Sequence, residues 1–220
     1  MDRIKLLMVL FFSLFLIIMS GLIYCIYSSF NNYESMHPEV PPCGTIFEEP
    51  LQQYCSILTI CRTYNGVDFE IEPVATYNIT ATVKSKSIYH DEMSSIVPID
   101  MVLVWGKLED ADVDGYITYN QYDRKYQYRY MGGCPVSGSY IQSHSSNTHI
   151  IPSNDAVNGA LGSLARDRQI TMGGYLVDVY WTSGGGLRWI KTSRIRTDSG
   201  MGSCEVFFVD SVTIGNETYT

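Results

Sequence analysis

YNITATVK, residues 77–84, alternates Tyr77, Ile79, Ala81 and Val83 with Asn78, Thr80, Thr82 and Lys84. A period of two puts one set on each face of an extended chain, so the stretch is predicted as a half-buried β-strand. Outward from it the same grammar recurs. Ile99–Trp105 ends in MVLVW, a continuous apolar run suited to a strand covered on both faces. Over Lys125–Tyr130, Tyr126, Tyr128 and Tyr130 alternate with Lys125, Gln127 and Arg129, which gives a strand with an aromatic face. Gln169–Trp181 (QITMGGYLVDVYW) reads as one long or bent strand, with Gly173 and Gly174 permitting the bend. Ser183–Gly186 leads into Leu187–Thr192, and Ser203–Ile214 (SCEVFFVDSVTI) makes the last strand. Residues 51–70 are ambiguous beyond a short apolar patch at Ile57–Ile60.

One soluble helix is expected, over Asn154–Arg166. Ser153 or Asn154 caps it, Asp155 suits the positive N-terminal end, and Val157, Leu161 and Leu164 form one stripe. The chain is thus mainly β: about three strands, a helix, then about three strands. That order fits a small barrel of the oligonucleotide/oligosaccharide-binding (OB-like) type, and a half-open sandwich fits it as well.

Ahead of this region, Leu6–Tyr27 (LLMVLFFSLFLIIMSGLIYCIY) contains no charged side chain. At ~1.5 Å per residue, such a run crosses the ~30 Å hydrocarbon core of a bilayer as a helix. Arg3 and Lys5 precede it, while Glu34 and Glu39 are the first acids after it. The positive flank stays in the cytoplasm, so the expected topology is a single-pass protein of the plasma or cell membrane with its N-terminus inside. A cleaved signal would have a shorter apolar run and small residues at the cleavage site, whereas Tyr24, Ile26 and Tyr27 are large. The expected organisation is a cytoplasmic N-terminus (1–5), a transmembrane helix (6–27), a Pro-rich stalk (28–50) and an extracytoplasmic β-rich domain (51–220).

The chain carries 15 Lys+Arg against 23 Asp+Glu, a net charge of −8; Asp2, Arg3 and Lys5 leave +1 in residues 1–32, so the remainder carries −9. A surface that acidic repels phosphate backbones, which argues against nucleic acid as a partner. Tyr is abundant at 17, and tyrosine-rich surfaces serve the binding of a protein or a glycan. Of the cysteines, Cys43, Cys55, Cys61, Cys134 and Cys204 follow the anchor, so an oxidising compartment would give at least one disulfide. The alternative for Cys134 and Cys204 is a buried thiol. No C-x-x-C spacing points to zinc.

Three constellations carry possible chemistry. Asp110–Gln121 (DADVDGYITYNQ) resembles the calcium loop of EF-hand-type proteins; the resemblance implies Asp110, Asp112 and Asp114, the Tyr116 carbonyl and Gln121 as ligands. Gln121 stands where a bidentate Glu is usual, and the flanks read as strands. His144-Ser-Ser-Asn-Thr-His149 offers two imidazoles as metal ligands or general bases, in what reads as an ordered loop. Arg194–Glu205 (RIRTDSGMGSCE) brings Asp198, Ser199 and Cys204, parts of a nucleophilic triad with a distant His, or a tight turn into the last strand. Sequons occur at Asn78 and Asn216. Trp105-Gly106, His149-Ile-Ile-Pro152, Gly174-Tyr-Leu-Val177 and Ser203-Cys-Glu205 together resemble uncharacterised membrane-anchored prokaryotic proteins, a resemblance that implies no activity.

Two functions from different classes follow. One is a membrane-anchored extracytoplasmic binding domain, stabilised by calcium. The other is a surface-anchored hydrolase using His144 or His149 with Ser199 or Cys204.

Overall fold

Alternation does not stop at the eight residues of YNITATVK: the strand they belong to runs over Val67–Ile88, and Phe69, Ile71, Ala75, Tyr77, Ile79, Ala81 and Val83 along it are all buried. The computed structural model describes residues 18–23, 49–195, 197–198 and 202–220. The chain divides into two compact units, Met1–Pro38 and Glu39–Thr220. In the first, residues 18–23 are helical; the remainder of the expected membrane span lies outside the described residues, as does the stalk up to residue 48. Among the described residues no helix is long and apolar enough to cross a membrane.

The second unit is mainly β with few helices. Its strands are β1 (Leu51–Tyr54), β2 (Ile60–Tyr64), β3 (Val67–Ile88), β4 (Ile99–Val104), β5 (Ile117–Tyr122), β6 (Lys125–Tyr130), β7 (Ser145–Pro152), β8 (Gln169–Ser183), β9 (Gly186–Lys191), β10 (Glu205–Ile214) and β11 (Glu217–Tyr219). The α-helices are α1 (Ala111–Asp114), α2 (Gly138–Ser143) and α3 (Asp155–Ser163). β5 and β6 form a hairpin of their own, and the other strands form one nine-stranded sheet.

Within that sheet β3 pairs with β4, β4 with β7, β7 in parallel with β10, β10 with β8, and β8 again with β3. The sheet is nevertheless not closed into a barrel. β3 has 22 residues and β8 has 15, and their outer halves pair with each other beyond the reach of β4 and β10. That open arm carries β2 along β3 and β9 along β8. The small barrel expected from element order is corrected accordingly: strand length, which the order does not express, spreads the sheet.

MVLVW is covered on both faces, as its continuous apolar character requires. Met101, Leu103 and Trp105 join Tyr77, Ile79, Phe207, Met172 and Leu161 of α3 in the principal core. Val102 and Val104 pack the other way, against Val113, Ile117, Tyr119 and Ile141 beneath the β5–β6 hairpin. The segment after His144 is a second correction. Its place ahead of Pro152 and a helix cap reads as an ordered, hydrogen-bonded loop, yet Ser145–Pro152 is the buried strand β7.

Asn154 caps α3, its Oδ1 accepting from the Ala156 and Val157 N–H groups at 2.9 and 3.1 Å. The helix stops at Ser163, short of the expected Arg166. Asn154→Ala removes the acceptor and leaves those donors to water, so it should lower stability by about 1 kcal/mol and the melting temperature by about 2–4 °C in a thermal scan. Cys55, Cys61, Cys134 and Cys204 are free thiols, and no disulfide joins described residues. The disulfide expectation is corrected for these four: Cys55 and Cys134 pack in different apolar clusters, while Cys204 lies beside an imidazole. Cys43 lies outside the described residues. Of the sequon asparagines, Asn216 is in an exposed turn, whereas Asn78 sits mid-strand between β1 and β8.

Candidate active site

Period-two geometry on three adjacent strands builds the site. Asp100 on β4 lies directly opposite His149 on β7. β10 runs parallel to β7 with Val206 opposite His149, which brings Cys204 level with Asn147. Asp100, His149 and Cys204 therefore stand in a row on one face, the face turned away from the principal core.

The row is hydrogen-bonded. His149 Nδ1 lies 2.9 Å from Asp100 Oδ1, with Asp100 fully buried and His149 only 6% exposed. Cys204 stands beside the imidazole, where its sulfur favours the protonated ring, and both residues line the same cleft. Burial by itself would lower the His149 pKa; the bonds to Asp100 and Cys204 outweigh it and lift the group to about 9. Asp100 is held in turn by Arg124, whose Nη1 is 3.4 Å away.

Arg124 also pins the β5–β6 hairpin. Its Nε and Nη2 donate to the two oxygens of Asp91 at 2.8 and 2.6 Å, and Nη2 reaches the Val97 carbonyl at 3.1 Å. That bidentate guanidinium holds the Asp91 carboxyl below the usual carboxylate range. Asp123 and Arg124 form the hairpin's two-residue turn at φ 47° and 56°, the left-handed pair that a tight hairpin demands.

Asn147, 1% exposed, completes the arrangement. Gln121 Nε2 donates to its Oδ1 at 2.9 Å, so the amide nitrogen is turned toward the Arg124 carbonyl at 3.1 Å and Cys204 Sγ at 3.7 Å. The backbone around the thiol is fixed as well: Ser193 N–H donates to the Cys204 carbonyl at 2.9 Å, and Val206 N–H to Thr192 Oγ1 at 3.1 Å.

His149 and Cys204 open onto a cleft of about 690 Å³ between the β5–β6 turn and β9. Tyr122, Tyr126 and Trp189 line it, together with Arg124, Lys125 and Lys191. A volume of that order suits a small organic molecule or a few residues of a peptide.

Glu205 follows Cys204 but turns to the opposite face of β10, where it is 3% exposed with Oε2 unpartnered. Burial, with the charge of Asp198 adding to it, lifts its carboxyl from 4.5 to about 8. A raised folded-state pKa means that the stability gained from the neutral acid is complete below 4.5 and lost as pH rises through about 8. His149 acts in the same direction between 6.5 and about 9. Urea midpoints should therefore fall as pH rises from 5 toward 9, and Glu205→Gln should flatten the part of that slope below about pH 8.

Other sequence-selected residues lie elsewhere. His144 stacks on Tyr140 at 3.7 Å, and its Nε2 is 3.0 Å from Glu49 Oε1; it does not line the cleft. Asp198 Oδ2 accepts from Ser193 Oγ at 2.8 Å and supports the loop rather than the imidazole. Ser199 lies outside the described residues. Asp110 precedes the single turn α1, its carbonyl accepting from Val113 and Asp114 N–H. On a helical turn, side chains two apart diverge by about 200°, so Asp112 does not share a focus with Asp110 and Asp114. Asp114 instead pairs with buried Lys84 at 2.8 Å, and the Tyr116 carbonyl accepts from Met131 N–H at 3.0 Å. Among the described residues no group of three or more His, Cys, Asp or Glu side chains is placed to hold a metal ion. Gln121, read as a calcium ligand, serves to orient Asn147.

Sequence reasoning missed Asp100, Asn147 and Arg124. Asp100 carried one signal: it is a lone carboxylate at the head of an apolar run destined for burial. No family model, curated protein or solved structure matches this chain. The residues themselves supply a thiol nucleophile, an imidazole within its reach, a carboxylate orienting that imidazole, and an amide N–H beside the sulfur.

Proposed function

We propose that residues 51–220 form a cysteine-dependent acyl hydrolase, held at the outer face of the membrane by residues 6–27. The Cys204–His149–Asp100 row carries this reading. His149 takes the thiol proton as Sγ attacks the carbonyl carbon, and Asp100 stabilises the imidazolium. Asn147 Nδ2–H donates to the oxyanion of the tetrahedral intermediate. His149 returns the proton to the leaving amine or alcohol, leaving a thioester on Cys204. It then takes a proton from water, whose oxygen displaces the thiolate and releases the acid. The anchored location rests on the charge asymmetry around residues 6–27. The exposed tyrosines expected to serve binding include Tyr122 at the mouth of this cleft, so the aromatic surface belongs to substrate capture in this reading.

The test is covalent trapping. The full chain mixed with p-nitrophenyl acetate should release a nitrophenol burst of about one equivalent and carry acetate on the Cys204 peptide; Cys204→Ala should show neither. Labelling spread evenly over Cys55, Cys61, Cys134 and Cys204, or a burst that survives Cys204→Ala, would defeat the proposal.

A further inference from the structure

We infer that the acyl substrate carries an anionic group, a carboxylate or a phosphonate-like centre, bound at the cleft mouth by Lys125 and Lys191. This rests on the hydrolase reading. The chain as a whole is strongly acidic, with a net charge of −8. The cleft is the reverse: among the described residues that line it, every side chain of fixed charge is cationic and none is Asp or Glu. Arg124 is not available to a ligand, since Asp91 and Asp100 occupy its guanidinium. Lys191 lies over the Tyr180 ring at 5.5 Å, and Lys125 has only the solvent-exposed Asp123 carboxylate, 3.8 Å away. A pair that exposed contributes little, so the Lys125 charge remains usable.

The two lysines come from different elements, β6 and β9, and both line the cleft onto which Cys204 opens. The same cleft is lined by exposed Tyr122 and Trp189, flat apolar surfaces for the uncharged part of the acyl chain. Cations around a low-dielectric cleft focus the field and concentrate anions there, while the acidic remainder of the surface repels them. Chemically the reaction is unchanged; the anion selects which acyl group is presented to the sulfur.

Three p-nitrophenyl esters test this on the full chain: the neutral acetate, the monosuccinate with a free carboxylate, and a phosphonoacetate. At low ionic strength at least one anionic ester should acylate Cys204 about tenfold faster than the acetate, per unit concentration. In Lys125→Gln/Lys191→Gln the advantage of the anionic ester over the acetate should fall to about twofold or less, through a higher KM for the anionic ester. Added salt should erode the wild-type preference in the same way. Which anionic ester leads identifies the anion. If neither outpaces the acetate, or the double variant keeps the preference, the inference is overturned while the hydrolase stands. If no ester acylates Cys204, the hydrolase reading fails and this inference fails with it.

Discussion

His149→Ala is expected to slow acylation of Cys204 by about 10²–10⁴-fold, the span associated with a positioned general base. The imidazole is the basic group beside the sulfur that can take its proton, and Asp100 holds it there through Nδ1. The variant should still fold, since alanine leaves no unpaired charge on β7, although Asp100 keeps Arg124 as its partner. A sharper readout comes from pH. With the His149 pKa lifted to about 9, the wild-type acylation rate should climb through that pH as the imidazole gives up its proton. Asp100→Asn removes the charge that favours imidazolium while burial continues to oppose it, so the inflection should move to lower pH as the plateau drops. An inflection unmoved by Asp100→Asn would show that Asp100 does not act through His149.

Gly174→Ala should be the most damaging single methyl addition in the domain. Gly174 lies in β8 between Tyr77 of β3 and Val209 of β10, with φ +154°, where side chains are rarely tolerated. A Cβ there would meet the Phe208 carbonyl oxygen at 2.1 Å, and that oxygen is backbone, not a flexible tip. β8 and β10 would have to separate at the point where the register shifts between Val209 and Ser211. The cost belongs at the top of the ~1–3 kcal/mol range for overpacking, or a fall in melting temperature of about 6–12 °C. Because β10 begins beside Cys204, acylation should fall with it. A variant that melts like the parent would place the true conformation of Gly174 elsewhere.

Much of the β architecture was legible because burial on one face of a strand must repeat every second residue. YNITATVK and KYQYRY declared themselves in that way, and MVLVW declared two buried faces; QITMGGYLVDVYW, read as one long or bent strand, is buried on both faces over residues 170–179. The signal failed on β7. Ser145, Ser146, Asn147 and Thr148 are polar and buried together, and their hydroxyls and amide are satisfied by Tyr126, Ile141, Arg124 and one another. Hydropathy cannot distinguish a polar side chain that has a partner from one that faces water. Local spacing likewise gives the order of the carboxylates in DADVDG, not the turn of helix on which Asp112 and Asp114 sit or the pairing of Asp114 with Lys84.

By itself, the sequence determined the β class, the helix capped by Asn154, and the two reactive types, a histidine at 149 and a cysteine at 204, since these follow from periodicity and side-chain chemistry along a local stretch. Only the tertiary structure decided that His149 and not His144 meets the thiol, that Asp100 and not Asp198 orients the imidazole, and that Gln121 fixes Asn147. The physical reason is strand register. Asp100, His149 and Cys204 are separated by about fifty residues each along the chain, yet neighbouring strands lie only ~4.8 Å apart, and a slip of one residue in either pairing would turn a member of the row to the other face.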